Sequence, residues 1–344
     1  RYGKTSEVKN ILVQLSKFRK FIIFDFYDAE YDHLKQPFYL STNPDYVYNL
    51  QTIEMNKFGF YITDFTNNDL TTFGFTDKSG VFIKNLIHLV GHDLGRLMEI
   101  ARQVPTNKWE WEKFVEKYPE ILLESWLNLS SKTNLVSQLS YLIESQTIIS
   151  PEDDEQYYMT NGKEGKMHFT RQILDSYLSR GSVRIDMNLN RGNSPLIKFY
   201  GGKILEYLRW KEYDKPNLFE KYHPFVLIEE SDKLFEAPDE KLGIDQQPSS
   251  IREGIECLFK IQRYGSILFL VVQNPAKLHK DFIQWATTWI YGRIPGDWHH
   301  AVKKLRWDRA RNYRQFLITS AGKNDYEIFV PAMLSTHDVQ WKPK

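Results

Sequence analysis

The sequence predicts an α/β protein with a mainly parallel sheet covered by helices on both faces. Two observations carry this. Short, almost continuous apolar runs ("FIIFD", "FVLI", "SILFLVV") have the composition of strands buried on both sides. Segments with apolar residues three and four apart stand between them, as a parallel sheet's crossovers require. A third observation gives the sheet a working edge. The runs close on Asp25, on Glu229-Glu230 and just before Gln273. Polar residues at strand carboxyl ends stand where open α/β sheets bind ligands.

The elements follow in order. The chain opens "RYGKTS", and Gly3-Lys4-Thr5 matches the end of the phosphate-binding pattern G-x-x-x-x-G-K-[ST]. The same tripeptide also suits a surface turn before a helix. Val8, Ile11, Leu12 and Leu15 then fall at helical spacing, and "KFIIFDFYDAEYD" supplies a strand closing on Asp25. Residues 38–75 mix polar and aromatic residues and suggest short strands and turns. From Val81 to about Ser150 the pattern is helical, and "SPEDDEQYYMTNGKEGK" suggests an exposed acidic loop. "GSVRIDMNLN" alternates as a strand. "SPLIKFYGGKILEYLRWKEYDK" is helical with a glycine pair, and "HPFVLIEESDKLF" is a strand ending in two glutamates. "IREGIECLFKIQRYG" is a helix before the apolar strand stopped by Asn274-Pro275. "FIQWATTWIYGRI" and "RQFLITSAGKNDYEIFVP" are expected to finish the sheet. The expected organisation is a core beginning at 1–75, a helical insertion at 76–165, and the remaining core at 166–344.

Composition narrows the function classes. The 344 residues carry 45 basic and 44 acidic side chains, so a nucleic-acid contact must be confined to a local patch. The one basic concentration is "VKKLRWDRARNYRQF", with Lys303, Lys304, Arg306, Arg309, Arg311 and Arg314 around Trp307 and Tyr313. It suits a grip on phosphates, a subunit contact or a solvated helix face. A single cysteine, Cys257, excludes a disulfide framework and fits a reducing cytoplasm. No apolar run is long enough to span a membrane, and the charged start does not suggest a signal peptide. His88/His92 and His299-His300 have metal-like spacing without a further ligand set nearby in sequence.

The candidate chemistry is phosphate chemistry. In a P-loop, Gly3, Lys4, Thr5 and Ser6 surround the phosphates, Lys4 neutralises them and the Thr5 hydroxyl ligates Mg²⁺. In a Walker B strand the first acid, Glu229, supports the Mg²⁺ shell and the second, Glu230, polarises the attacking water. Gln273, at the tip of another strand, is suited to sensing the γ-phosphate. Each element alone has an ordinary alternative, a turn or a polar strand end. Their order and spacing are those of a RecA-like P-loop NTPase core that uses ATP and Mg²⁺.

On these segments the sequence resembles the HerA/FtsK-type DNA-translocating ATPases. "RYGKTS" is similar to the end of their Walker A, "FIIFDFYDAEYDHL" to the strand running into D-P-x-G-E-Y, and "FVLIEESDKL" to Walker B. "IREGIECLFKIQRYGSILFLVVQNP" resembles their helix with G-R-K-x-G and the strand ending in T-Q-R-P. The resemblance implies an ATP-driven motor on double-stranded DNA, a homo-hexameric ring, and a NurA-like nuclease or another effector as partner. It also implies that Asp25 lies near the nucleotide. Arg263 matches the family arginine that acts across a subunit interface, with Arg252 as its rival. There are departures. Glu30 and Tyr31 are shifted by one residue, Glu229 replaces aspartate, and Asn274 replaces arginine. These keep open a nucleotide-gated scaffold with slow turnover. A small-molecule kinase fits less well, since it does not need the strand ending in glutamine.

Overall fold

The computed structural model describes residues 12, 19–26, 38–40, 43–47, 50–121, 126–189, 194–237, 247–261, 263–274, 277–286, 288–291, 316–320, 327–329 and 339–341. Leu12 is helical and buried, as the opening amphipathic pattern requires. The strand β1 (Phe21–Asp25) follows and is buried along its whole length. Next come β2 (Phe38–Leu40), β3 (Asn43–Val47), β4 (Leu50–Glu54) and the two-residue β5 (Phe58–Gly59).

A helical region succeeds them: α1 (Asn67–Thr72), α2 (Asp77–Val90), α3 (Leu94–Gln103), α4 (Lys108–Lys117), α5 (Leu129–Glu144) and α6 (Pro151–Met159). Side-chain oxygens cap these helices: Thr66, Thr76, Asp93, Asn107, Asn128 and Ser150 each accept from a backbone N–H in the first turn. Helix α6 corrects the expected loop at 151–159. Ser150 and Asp153 form a capping box, Pro151 occupies the first turn, and three acids there favour the helix dipole.

The chain then returns through β6 (Met167–His168), α7 (Arg171–Arg180), β7 (Ser182–Asp186), α8 (Ser194–Arg209), α9 (Leu218–Tyr222) and β8 (Phe225–Ile228). The short α10 (Ser231–Leu234), α11 (Ser249–Ile261), β9 (Ile267–Leu270) and α12 (Lys280–Trp285) follow.

The central sheet has the order β4-β7-β1-β8-β9, and every pair is parallel. β1 and β8 lie inside it and are buried on both faces, which explains their unbroken apolar sequence. β9 differs from the buried strand expected there: it ends the described sheet, and Ile267 is exposed. The carboxyl-terminal strands also depart from expectation. β10 (Thr288–Tyr291), β11 (Phe316–Ser320) and β12 (Glu327–Phe329) form their own antiparallel sheet, and β13 (Val339–Trp341) pairs with β2. A local apolar run specifies a strand but not the sheet it joins.

The glycine pair in α8 sets how closely the crossover helices pack. A Cβ on Gly202 would lie 2.8 Å from the Ser250 nitrogen, and one on Gly201 would lie 2.3 Å from Leu234 Cδ1. Helix α8 can therefore sit against α10 and the start of α11 only without side chains there. On its other side α8 is fastened to the β5 segment. Phe60 meets the Phe199 and Tyr200 rings edge-on, at 5.0 and 5.4 Å, and the Tyr200 hydroxyl donates to the Phe58 carbonyl. No helix among the described residues is long and apolar enough to cross a membrane.

Candidate active site

The strand order places a crevice. The connection leaving β1 leads towards β4, and the one leaving β8 leads to β9 on the opposite side. The carboxyl ends of β1 and β8 therefore form a topological switch point, where open parallel sheets bind ligands. Asp25 ends β1, and Glu229 and Glu230 follow β8 directly.

Register aligns three acids along this edge. Asp25 pairs with Asp186 of β7, and Phe24 pairs with Ile228, so Glu229 stands beside Asp25 one step further on. The Glu229 N–H faces the Phe24 carbonyl at 3.4 Å. Arg184, on β7 and 1% exposed, reaches two of them. Its Nε donates to Asp25 at 2.7 Å, and its Nη1 is 3.5 Å from Asp186. A buried charge of this kind persists only where a partner compensates it.

Beyond β8 the backbone turns sharply. Glu230 has φ of +44°, a left-handed conformation uncommon for a residue with a side chain. The Ser231 N–H and hydroxyl both donate to the Val271 carbonyl, at 2.9 and 3.1 Å. This ties the turn to the end of β9. The Gln273 side-chain amide donates to Glu230 Oε1, and Lys233 Nζ contacts Glu230 Oε2 at 2.7 Å. Partial burial draws the Lys233 ammonium below the ordinary lysine range.

The structure thus brings Asp25, Glu229, Glu230 and Gln273 together. Gly3, Lys4, Thr5 and Ser6 lie outside the described residues, as do Glu30, Tyr31, His299-His300 and the basic tract at 303–314. The two candidate arginines separate. Arg252 begins α11, near the working edge, and its guanidinium donates to Asn68 of α1. Arg263 is exposed in the turn before β9, at the opposite, amino-terminal edge of the sheet. His88 is exposed on α2, while His92 packs on the Tyr61 ring with centroids 4.8 Å apart. Trp111 and Phe114 belong to the core, and Trp109 points outward.

The donor set suits Mg²⁺. Among the described residues no group of three or more His, Cys, Asp or Glu is placed to hold a metal alone. Magnesium does not need one: it takes one or two carboxylates and completes its shell with phosphate oxygens and water. Glu229, directly after β8, is a hard oxygen donor of that kind.

No protein-family model matches the chain, and no curated protein does. Solved structures do. VirB4 of Thermoanaerobacter pseudethanolicus superposes with a TM-score of 0.53 at 14% identity, over 96% of this chain and 87% of that one. The bacterial conjugative coupling protein TrwBΔN70, in an unbound form, gives 0.55 at 12% identity, over 98% and 84%. TrwB in complex with the non-hydrolysable GTP analogue GDPNP gives 0.55 at 12%, over 97% and 84%. The fold is the RecA-like P-loop NTPase fold that VirB4 and TrwB share.

Two residues of this edge escaped the sequence patterns. Arg184 sits in an alternating strand, and its partner Asp25 is 159 residues away. Lys233 follows Glu230 by three residues, which suggests an ordinary surface helix until the left-handed turn folds it back.

Proposed function

We propose that the chain is an ATP-hydrolysing, DNA-translocating motor of the HerA/FtsK type, acting in DNA processing, packaging or transfer. The observation that carries this is the meeting of Asp25, Glu229, Glu230 and Gln273 at the switch point of a parallel sheet. TrwB, of the same fold, has been solved with ADP and Mg²⁺. In this reading Lys4 and Thr5 would bind the phosphates, and Thr5 and Glu229 would hold Mg²⁺. When bound, the ion offsets the charge of the β- and γ-phosphates. Glu230 accepts a proton from the water that attacks the γ-phosphorus. The bond from that phosphorus to the bridging oxygen breaks, and ADP and phosphate leave. Gln273 reports the γ-phosphate. Arg263, at the far edge of its own sheet, acts only on a neighbouring subunit's nucleotide, in a ring that encloses duplex DNA.

A nucleotide-gated scaffold with slow turnover is the second reading. It is favoured by Glu229 in place of aspartate and by the engagement of both Glu230 oxygens.

The test is ATP hydrolysis with and without linear duplex DNA, beside Glu230→Gln. The motor requires turnover that rises with duplex and falls about 10²–10⁴-fold in the variant. Turnover indifferent to DNA supports the scaffold.

A further inference from the structure

We propose that the chain docks head to tail on a second copy of itself. The acidic helix α6 of one copy sits on an aromatic and cationic surface at the carboxyl-terminal ends of α8 and α11 in the next. The docking stands on these two surfaces and does not depend on the ATPase reading.

The receiving surface lies at the amino-terminal edge of the sheet, where α8 and α11 end ahead of β8 and β9. It holds a cavity of about 480 Å³ lined by Glu206, Arg209, Trp210, Lys211, Lys260 and Tyr264. Trp210 is 51% exposed, and Tyr264 is braced by Phe219, with ring centroids 6.4 Å apart. Next to Lys260, Phe259 meets Trp285 of α12 edge-on at 5.0 Å, and both rings are half-exposed. Aromatic side chains gathered round an open cavity mark a surface that another molecule buries.

The free charges there are few. Arg209 already pairs with Glu253, and Lys260 with Glu256. Lys211 and Arg263 are exposed and form no ion pair among the described residues. Two free cations beside two helix carboxyl ends fall short of what a phosphate backbone needs. They suit a segment with a few carboxylates and an apolar side chain for the cavity.

Helix α6 is such a segment. It buries none of its nine residues. Glu152, Glu155, Tyr158 and Met159 recur three and four apart, so they share one face, and all are exposed. Asp154, off that face, accepts from the His168 N–H at 2.8 Å and holds the face outward. A helix this short draws its stability from a packed face, and α6 has none within its own chain.

The two surfaces also stand on opposite sides. Asp154 ties α6 to β6, β6 pairs with β5, and β5 follows the carboxyl end of β4. Helix α6 therefore belongs to the carboxyl-edge side of the sheet, and its acceptor to the amino edge. Unlike, complementary patches on one chain make a heterologous contact, which repeats from copy to copy. The Arg263 N–H donates to the Lys260 carbonyl at 3.0 Å, so Arg263 stands one turn beyond Phe259. On the motor reading, the copy docked here is the neighbour whose nucleotide Arg263 reaches.

The experiment measures the mass of the whole chain by sedimentation over a range of concentrations, without nucleotide. The expected result is self-association whose Kd rises about tenfold or more in Trp210→Ser. It should rise about threefold in Lys211→Glu and in Glu155→Lys, and the two reversals together should recover part of the loss. Circular dichroism checks the fold, and Tyr158→Ser must weaken association too should Trp210→Ser fold poorly. A chain that stays monomeric at every concentration overturns the proposal, as does association that none of these variants weakens. Loss of DNA binding in Trp210→Ser and Lys211→Glu, with the mass unchanged, assigns the surface to nucleic acid and also overturns it. No nucleotide is present, so failure of the ATPase reading leaves every one of these outcomes as it stands.

Discussion

Two buried ionic clusters in this molecule look alike in isolation and differ in what surrounds them. One is at the carboxyl edge of the sheet, where Arg184 bonds Asp25 beside Asp186 and Glu229. The other lies between α8 and α1. There Lys203 Nζ donates to the Asp64 carbonyl at 2.6 Å, to Asp69 at 2.8 Å and to Glu206 at 2.9 Å. The second cluster is matched: an ammonium has three donors, and all three are used. Burial works against the Lys203 charge, but Asp69 and Glu206 more than offset it and hold the ammonium above the ordinary range. The first cluster is weighted towards acid. Its described side chains include the carboxylates of Asp25, Asp186, Glu229, Glu230 and Asp232 against the cations Arg184 and Lys233. Burial of charge therefore does not mark the working site. What sets the first cluster apart is its place at a strand switch point, beside a left-handed turn.

The comparison can be broken from either side. The largest loss of stability is expected for Lys203→Met, which leaves Asp69 and Glu206 buried without their cation. It should cost about 3–5 kcal/mol in denaturant unfolding, with ATP-analogue binding unchanged at temperatures where the variant is folded. Adding Asp69→Leu should recover part of the loss. Arg184→Met should cost somewhat less, about 2–4 kcal/mol, because Asp186 is partly exposed and water can reach it. Here analogue binding or its Mg²⁺ dependence should change as well, since Asp25 and Glu229 are register neighbours. If Arg184→Met lowers stability and leaves nucleotide binding and Mg²⁺ dependence untouched, the two clusters are the same kind of object and the distinction falls.

Much of the working edge was legible in the sequence because parallel strands buried on both faces lose their alternation. "FIIFD" and "FVLI" stand out as apolar runs, and their acidic ends are then conspicuous. The glycine pair was visible too, although its reason, the approach of Ser249–Ser250 and Leu234, is tertiary. What was hidden has physical causes. Helix α6 buries no residue, so it has no apolar periodicity to detect. Its only signal was the Ser150-Pro151-x-Asp153 cap. The half-exposed state of β9 depends on its place at the end of the described sheet, which composition does not encode. Arg184 and Lys203 sit at positions where pattern alone implies solvent, and the acids that let them be buried come from distant segments.

The smallest effect sharpens the contrast within the helical region itself. Lys166, close to α6, is partly buried where Lys203 is fully buried, and its ammonium donates to the Ser145 carbonyl rather than to a carboxylate. Burial pulls its pKa down to about 8. The folded state thus binds the Lys166 proton more weakly than the unfolded chain, whose lysine titrates near 10.5. Below about pH 8 both states carry the proton, and the folded one bears the full cost of burying it. Between about pH 8 and 10.5 the unfolded chain holds more protons, so this group's contribution to stability rises with pH. Above that window the cost is gone. Lys166→Met should therefore be more stable than the parent at pH 7, by about 1–2 kcal/mol after allowing for partial exposure and the lost hydrogen bond. The gain should shrink steadily towards pH 10 in paired denaturation curves. A gain independent of pH would mean that Lys166 keeps the unfolded chain's pKa in the fold, charged and well hydrated. The contrast with Lys203 would then owe nothing to the missing carboxylate.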